Sequence, residues 1–221
     1  METLLNSFDK IFLLNLDKRT DRLDESMKIL EKYNLGDKLK RFSAIEPPQS
    51  IKEKKDNKGR VIRRGVVGLL LSVVEIIKES KLNNYESILV LEDDFIFKNE
   101  DYSNNIRLQL NNIDWDVFYL GANLHHKLKS KSENLFEIRG GYATHAVAYN
   151  KRFYDFFLEN FYNGNIDIID VWLSEFAQEN LNCYCAWPIL SLQRESYSDI
   201  ENVNCNYDWM ERKYYENTKK L

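Results

Sequence analysis

Two spacings of apolar residues organise the chain: short unbroken runs that suit buried strands, and stripes every three to four residues that suit helices. Ile11-Phe12-Leu13-Leu14-Asn15-Leu16 is the first run, and it reads as a buried strand of the parallel type. Thr20 then caps a predicted helix with Asp21, Asp24 and Glu25 in its first turn, an apolar face of Leu23, Met27 and Leu30, and Gly36 as its stop. Arg41 to Ile45 reads as a short strand closed by Pro47-Pro48. A helix from about Val66 to Ser80 is apolar nearly all round and therefore buried. Ser87 to Leu91 is the next strand, Asp101 to Asn112 a helix, and Trp115 to Leu120 a strand stopped by Gly121. Strands at Leu135 to Arg139 and Thr144 to Tyr149 flank a Gly140-Gly141 turn. Phe153, Phe156, Phe157 and Phe161 mark a helix, Asp170 to Asn180 another, and Cys183 to Trp187 a last strand before Pro188. Strands alternating with helices predict an α/β fold with a mostly parallel sheet flanked by helices.

The 221 residues suit one such domain, with about 201–221 read as a C-terminal tail, and no repeat or linker divides them. A net charge of −4 lacks the basic excess of a nucleic-acid binder. Lys52 to Arg64 is the local exception, with seven basic residues against two acidic ones. The plain reading is a solvated loop; the other is a mobile basic loop in peripheral contact with phosphate or an anionic membrane surface. Three cysteines, Cys183, Cys185 and Cys205, show neither a zinc spacing nor a disulfide framework. The first residues lack a charged leader and long apolar run, and Val66 to Ile77 is too short to span a bilayer. A soluble, cytoplasmic protein is the expectation.

Candidate chemistry gathers where strands end. The run Ser87 to Leu91 leads straight into Glu92-Asp93-Asp94. Clustered like charges raise one another's pKa, so a triplet at a buried strand's end invites a counterion. Strand alternation puts Glu92 and Asp94 on one face and Asp93 on the other, a pair suited to a hard divalent cation such as Mn²⁺ or Mg²⁺. Solvated acids at a loop start are the alternative. Asn15, Arg19 and Arg22 sit at a strand end and helix start, where backbone N–H groups and guanidinium forks can meet phosphate; pairing of the arginines with Asp17, Asp21 or Asp24 is the other reading. Asp167-Ile168-Ile169-Asp170 opens a helix, and Asp170 reads either as a cap or as a general base facing a cleft. His145, in an apolar strand, reads as a structural residue or as part of an acceptor-side wall.

These pieces, in this order, resemble the family-25 glycosyltransferases, which include lipopolysaccharide galactosyl- and glucosyltransferases and collagen galactosyltransferases. Ile11 to Leu16 with Arg19 and Asp21-Arg22 resembles the family's first strand and its Arg-x-x-Arg turn. Gly65-Val66-Val67-Gly68 with Ser72 resembles its Gly-x-x-Gly helix start, and Leu89 to Phe95 its Leu-Glu-Asp-Asp block. Trp115 to Gly121, Gly141 to Tyr149, Asp170 to Leu173, and Pro188 with Gln193 and Ser198-Asp199-Ile200 resemble the remaining blocks, so the resemblance covers about residues 8 to 200. Val66, Leu69 and Val73 stand where the family usually carries Glu, Cys and His.

The resemblance implies a GT-A type fold and a metal-dependent, inverting transfer of galactose or glucose from a UDP-sugar to a hydroxyl of a glycan, a lipid-linked sugar or a protein. On that footing Asp94 and Glu92 are expected at the metal; Asn15, Arg19, Arg22 and Asp93 at the donor; His145 and Gly121 on the acceptor side; and Asp170 as general base. The altered block at Gly65 to Val73 leaves an inactive or weakly active sugar-nucleotide-binding domain as the alternative.

Overall fold

Residues 1–198 and 203–218 are described by a computed structural model. The closing block expected at Ser198-Asp199-Ile200 lies mostly outside them. Eight strands join one sheet: β1 (Lys10–Asn15), β2 (Leu39–Ser43), β3 (Ser87–Glu92), β4 (Val117–Tyr119), β5 (Lys129–Ser130), β6 (Leu135–Glu137), β7 (Ala146–Asn150) and β8 (Cys183–Ala186). Their spatial order is β2-β1-β3-β7-β4-β8-β6-β5. β1 is parallel to β2 and β3, and β4 is parallel to β8, while β7 and β6 run antiparallel to both their neighbours. Six strands therefore point one way and two the other, so the sheet is mostly parallel by strand direction.

The helices are α1 (Glu2–Leu5), α2 (Thr20–Leu30), α3 (Arg64–Leu82), α4 (Ser103–Leu110), α5 (Lys151–Tyr162), α6 (Ile169–Trp172), α7 (Gln178–Asn180) and α8 (Asp208–Asn217). Period-two alternation divides the apolar strands between two cores. Phe12, Leu14, Ile88 and Val90 face the layer of α3 and α5, with Val73, Ile77, Phe153 and Phe157. Ile11, Leu13, Leu89 and Leu91 face α1, α2 and α4, with Leu5, Leu30, Ile106 and Leu110. An unbroken apolar run is what a strand covered on both faces requires.

Several elements differ from the sequence reading. Arg19, not Thr20, is the N-cap of α2, with no side-chain cap bond, and the helix ends at Leu30, well before Gly36. The helix expected over Asp170 to Asn180 is interrupted: a π-helical turn, Leu173–Ala177, joins α6 to α7. The segment read as a tail contains α8, whose Met210 and Tyr214 are fully buried. Its apolar positions are sparse, so their periodicity is weak, and the contacts that fix it are distant: the Tyr214 hydroxyl donates to the Ala186 carbonyl. Phe95–Phe97 pairs antiparallel with Ser191–Gln193, and Lys54–Lys55 with Val61–Ile62 as a hairpin in the basic run. Among the described residues no helix is long and apolar enough to cross a membrane.

Candidate active site

The C-terminal end of β3 is the centre of the site. Its apolar run and its pairing with β7 hold it in place up to Glu92, whose N–H donates to the His145 carbonyl at 2.9 Å. The chain turns at Asp93-Asp94 and leaves along Phe95–Phe97. Three carboxylates are thereby brought to one place with three different sets of partners. Asp93 is anchored: Arg22 Nη1 donates to Oδ1 and Asn15 Nδ2 to Oδ2, each at 2.7 Å. Ser26 Oγ (2.9 Å) and Arg194 Nη2 (3.0 Å) donate to its backbone carbonyl. Glu92 accepts a 2.6 Å bond from Thr144 Oγ1. Asp94 lies 3.8 Å from Arg22 Nη1, and its Oδ1 is buried with no hydrogen-bond partner among the described residues.

Burial and mutual repulsion act on this pair. Burial, then the charges of Asp94, Asp93 and Asp170, push the Glu92 carboxyl well up, against the Thr144 bond. Burial also raises Asp94, with Arg22, Gln193 and Arg194 pulling the other way.

These acids floor a cleft of about 650 Å³. Asn15, Lys18 and Ala44 to Pro47, at and after the ends of β1 and β2, close one end of it; Gly65, Val66 and Gly68 at the start of α3 form a second wall. Gly68 is needed there, because a Cβ would stand 2.4 Å from the Ile45 carbonyl oxygen. Asp170 enters at the start of α6, close enough to Glu92 to raise its pKa, and its Oδ1 accepts from the Val171 N–H at 2.8 Å. It stands one residue inside the helix, so it is not the cap, which is Ile168.

The structure thus brings together Glu92, Asp93, Asp94, Asn15, Arg22 and Asp170, but leaves out three expected residues. Arg19 is not on the cleft wall: its fork holds Asp21 through bonds of 3.0 and 2.9 Å. His145 is fully buried off the cleft, just before β7, where burial pushes its pKa down to about 4. Gly121 serves packing, since a Cβ there would lie 1.9 Å from the Ser191 carbonyl oxygen. Asn15 and Arg22 do reach the cleft, yet both are engaged in fixing Asp93; the Asn15 Oδ1 also accepts from Arg41 Nε and Nη2 at 3.1 and 3.0 Å.

The profile of "Glycosyltransferase family 25 (LPS biosynthesis protein)" matches residues 8–162, which carry every one of these carboxylates but Asp170. The chain belongs to glycosyltransferase family 25. Among similar proteins, procollagen galactosyltransferase 1-B of Xenopus laevis is 32% identical over 130 residues, and procollagen galactosyltransferase 2 of Homo sapiens 26% over 129. Each match covers 52% of this chain, which spans only 21% of the relative. Procollagen galactosyltransferase 1 of Danio rerio is 24% identical over 218 residues, 83% of this chain and 36% of that one. A solved glycosyltransferase involved in the glycosylation of the major capsid of PBCV-1 shares the fold, with TM-score 0.51 at 12% identity, covering 87% of this chain and 95% of that one.

Other residues line the cleft of this family-25 chain: Asn123, Tyr142 and Ala143, which had no role in the sequence reading, Gln193 of the closing block, and Arg63 and Arg64 at the end of the basic run. Ala143 has φ +82°, a left-handed backbone that costs an L side chain about 1–3 kcal/mol and leaves no mark in residue type. Five of the seven basic residues in the Lys52–Arg64 run have a carboxylate within 4.0 Å. Lys54 reaches Asp167 at 2.9 Å, and Lys58 and Arg60 both reach Glu175 at 2.6 Å. The basic hairpin is therefore clasped to the segment bearing Asp170.

A divalent cation can be tested against these residues. Among the described residues no group of three or more His, Cys, Asp or Glu could hold a metal ion. Asp93 is occupied by Arg22 and Asn15, which leaves Glu92 and Asp94. Two carboxylates with an unpartnered buried oxygen fit an ion that completes its shell with water and substrate phosphate, as Mg²⁺ commonly does.

Proposed function

We propose that the protein is a metal-dependent, inverting glycosyltransferase of GT-A type that moves galactose or glucose from a UDP-sugar to an acceptor hydroxyl. The observation that carries this reading is the unpartnered Asp94 Oδ1 next to Glu92, with Asp170 lining the same cleft of a family-25 chain. Glu92 and Asp94 would hold Mn²⁺ or Mg²⁺; when bound, the ion supplies positive charge against the departing diphosphate. Arg22 and Asn15 hold Asp93, and through it the turn that carries Asp94, so their part is to position. Asp170 takes the proton of the acceptor hydroxyl as the new C1–O bond forms and the C1–O bond to UDP breaks, a contribution of typically 10²–10⁴-fold. The family's galactosyltransferase relatives support the hexose. The acceptor is a hydroxyl of a glycan, lipid-linked sugar or protein, and a cytoplasmic location is part of the proposal.

Asp170→Asn is expected to reduce turnover by at least about a hundredfold while UDP-sugar affinity changes little. Equal losses in kcat and donor affinity would remove Asp170 from the proton transfer. Asp94→Ala should abolish the metal-dependent part of UDP binding in calorimetry, and unchanged binding would take it out of the metal site. Val66 and Leu69, in the places of the family's Glu and Cys, line the cleft and motivate the second reading, a sugar-nucleotide-binding domain without turnover. Metal-dependent UDP-sugar binding with no UDP release across an acceptor panel would favour it.

A further inference from the structure

The acidic end of β3 divides the cleft. Strand order puts the ends of β1 and β2 on one side of it, and β7 and β4 on the other. The first side carries Asn15, Lys18, Glu46 and Arg64 among apolar residues such as Ile45, Pro47 and Leu69. The second is built from Asn123, Tyr142, Tyr207 and Trp209. These come from distant stretches that are tied together. Asn123–Leu124 pairs with Gly141–Tyr142, and α8 is fastened to the same strand: Asn217 Nδ2 donates to the Leu124 carbonyl at 3.0 Å, and the Leu128 N–H to the Asn217 carbonyl at 2.9 Å. Tyr207 is close enough to Asp94 and Glu92 for both to raise its hydroxyl's pKa. Trp209 lies further out, 37% exposed, with Lys213 Nζ 5.0 Å from its ring centroid. The backbone between Tyr142 and Thr144 is held left-handed at Ala143, a strain that clusters at ligand sites.

We propose that Tyr142, Tyr207 and Trp209, with Asn123, form the acceptor subsite, and that it takes the pyranose ring of a glycan rather than an amino-acid hydroxyl. A pyranose has an apolar face of C–H groups and a rim of hydroxyls. Rigid amphipathic rings with an amide beside them match both, and a ring seated on Trp209 and Tyr207 points a hydroxyl inward to the acids and Asp170. Asn123 and Tyr142 lie within residues 8–162, the part matched by the family profile, and Tyr207 and Trp209 beyond it. The assignment of an acceptor, as opposed to any saccharide, rests on the transferase reading above.

The test separates the two. Saturation-transfer NMR on the full chain, without donor, uses methyl β-galactopyranoside, methyl β-glucopyranoside and lactose, with a hydroxylysine-containing collagen-like peptide as rival; UDP binding with Mn²⁺ is measured separately by calorimetry. Saturation is expected on the C–H face of a saccharide, reduced roughly fivefold or more in Trp209→Ala and restored in Trp209→Phe, with UDP binding unchanged. Saturation unaffected by Trp209→Ala, a peptide that binds where no saccharide does, or no binding by any of the four would overturn the proposal. A saccharide that binds through Trp209 while UDP does not bind would instead leave the sugar subsite standing and overturn the donor reading.

Discussion

Asp93 and His145 show how little a residue's type says about its use. In the sequence, Asp93 is one of three equal acids; in the fold it is the one that Arg22 of α2 and Asn15 of β1 hold by direct hydrogen bonds. Both partners were legible as site residues, because a strand end and helix start that carry Asn and Arg suit an anion. That the anion is the protein's own carboxylate depends on a contact across 71 residues, which no local pattern records. Arg22→Met would leave Asp93 buried without its cation and is expected to cost about 3 kcal/mol or more in urea unfolding. Adding Asp93→Asn should recover part of that, and additive losses would argue against the pair. His145 has its pKa depressed from 6.5 to about 4, so the unfolded chain takes up a proton before the folded one does. Its contribution is complete above pH 6.5 and is lost as pH falls from 6.5 towards 4, by about 2 kcal/mol at pH 5. His145→Phe should flatten the stability profile between pH 7 and 5; parallel profiles would show that the ring is not the titrating group.

At the scale of elements, what was readable was whatever its own periodicity determines. The runs at Ile11 and Ser87 and the stripes of α3 and α5 appear within a few residues of their expected bounds. The π-helical turn after α6, the Phe95–Phe97 pairing and the clasped hairpin were not readable, since each is settled by a partner elsewhere. Gly121 belongs with them: its place after a strand was evident, but its reason is the carbonyl of Ser191, seventy residues on. Gly121→Ala must displace that backbone or its own, and is expected to destabilise by at least about 2 kcal/mol with the urea m-value unchanged. A loss under a few tenths of that would mean the Phe95–Phe97 and Ser191–Gln193 layer yields easily.

Over the whole molecule, alternation of strands and helices was enough to forecast the class of fold, whereas the reversal of β7 and β6 and the docking of α8 had to come from the structure. Tyr214 is the measure of that docking, fully buried in the same core as Phe153 and Trp172. Tyr214→Ala is expected to cost about 3–5 kcal/mol and lower Tm by roughly 10 °C. A shift of a degree or two would return the segment to the status of a tail. The reversal of β7 has a different consequence. Strands β1, β3 and β4 deliver to the cleft the residues by which the chain leaves them, but β7 delivers those by which the chain enters it, Tyr142 to Thr144. The two sides of the cleft are therefore written in separate stretches of the gene, one in roughly the first third and the other after β4. A change confined to one stretch can be inherited without disturbing the other, so each side of the cleft is free to vary separately.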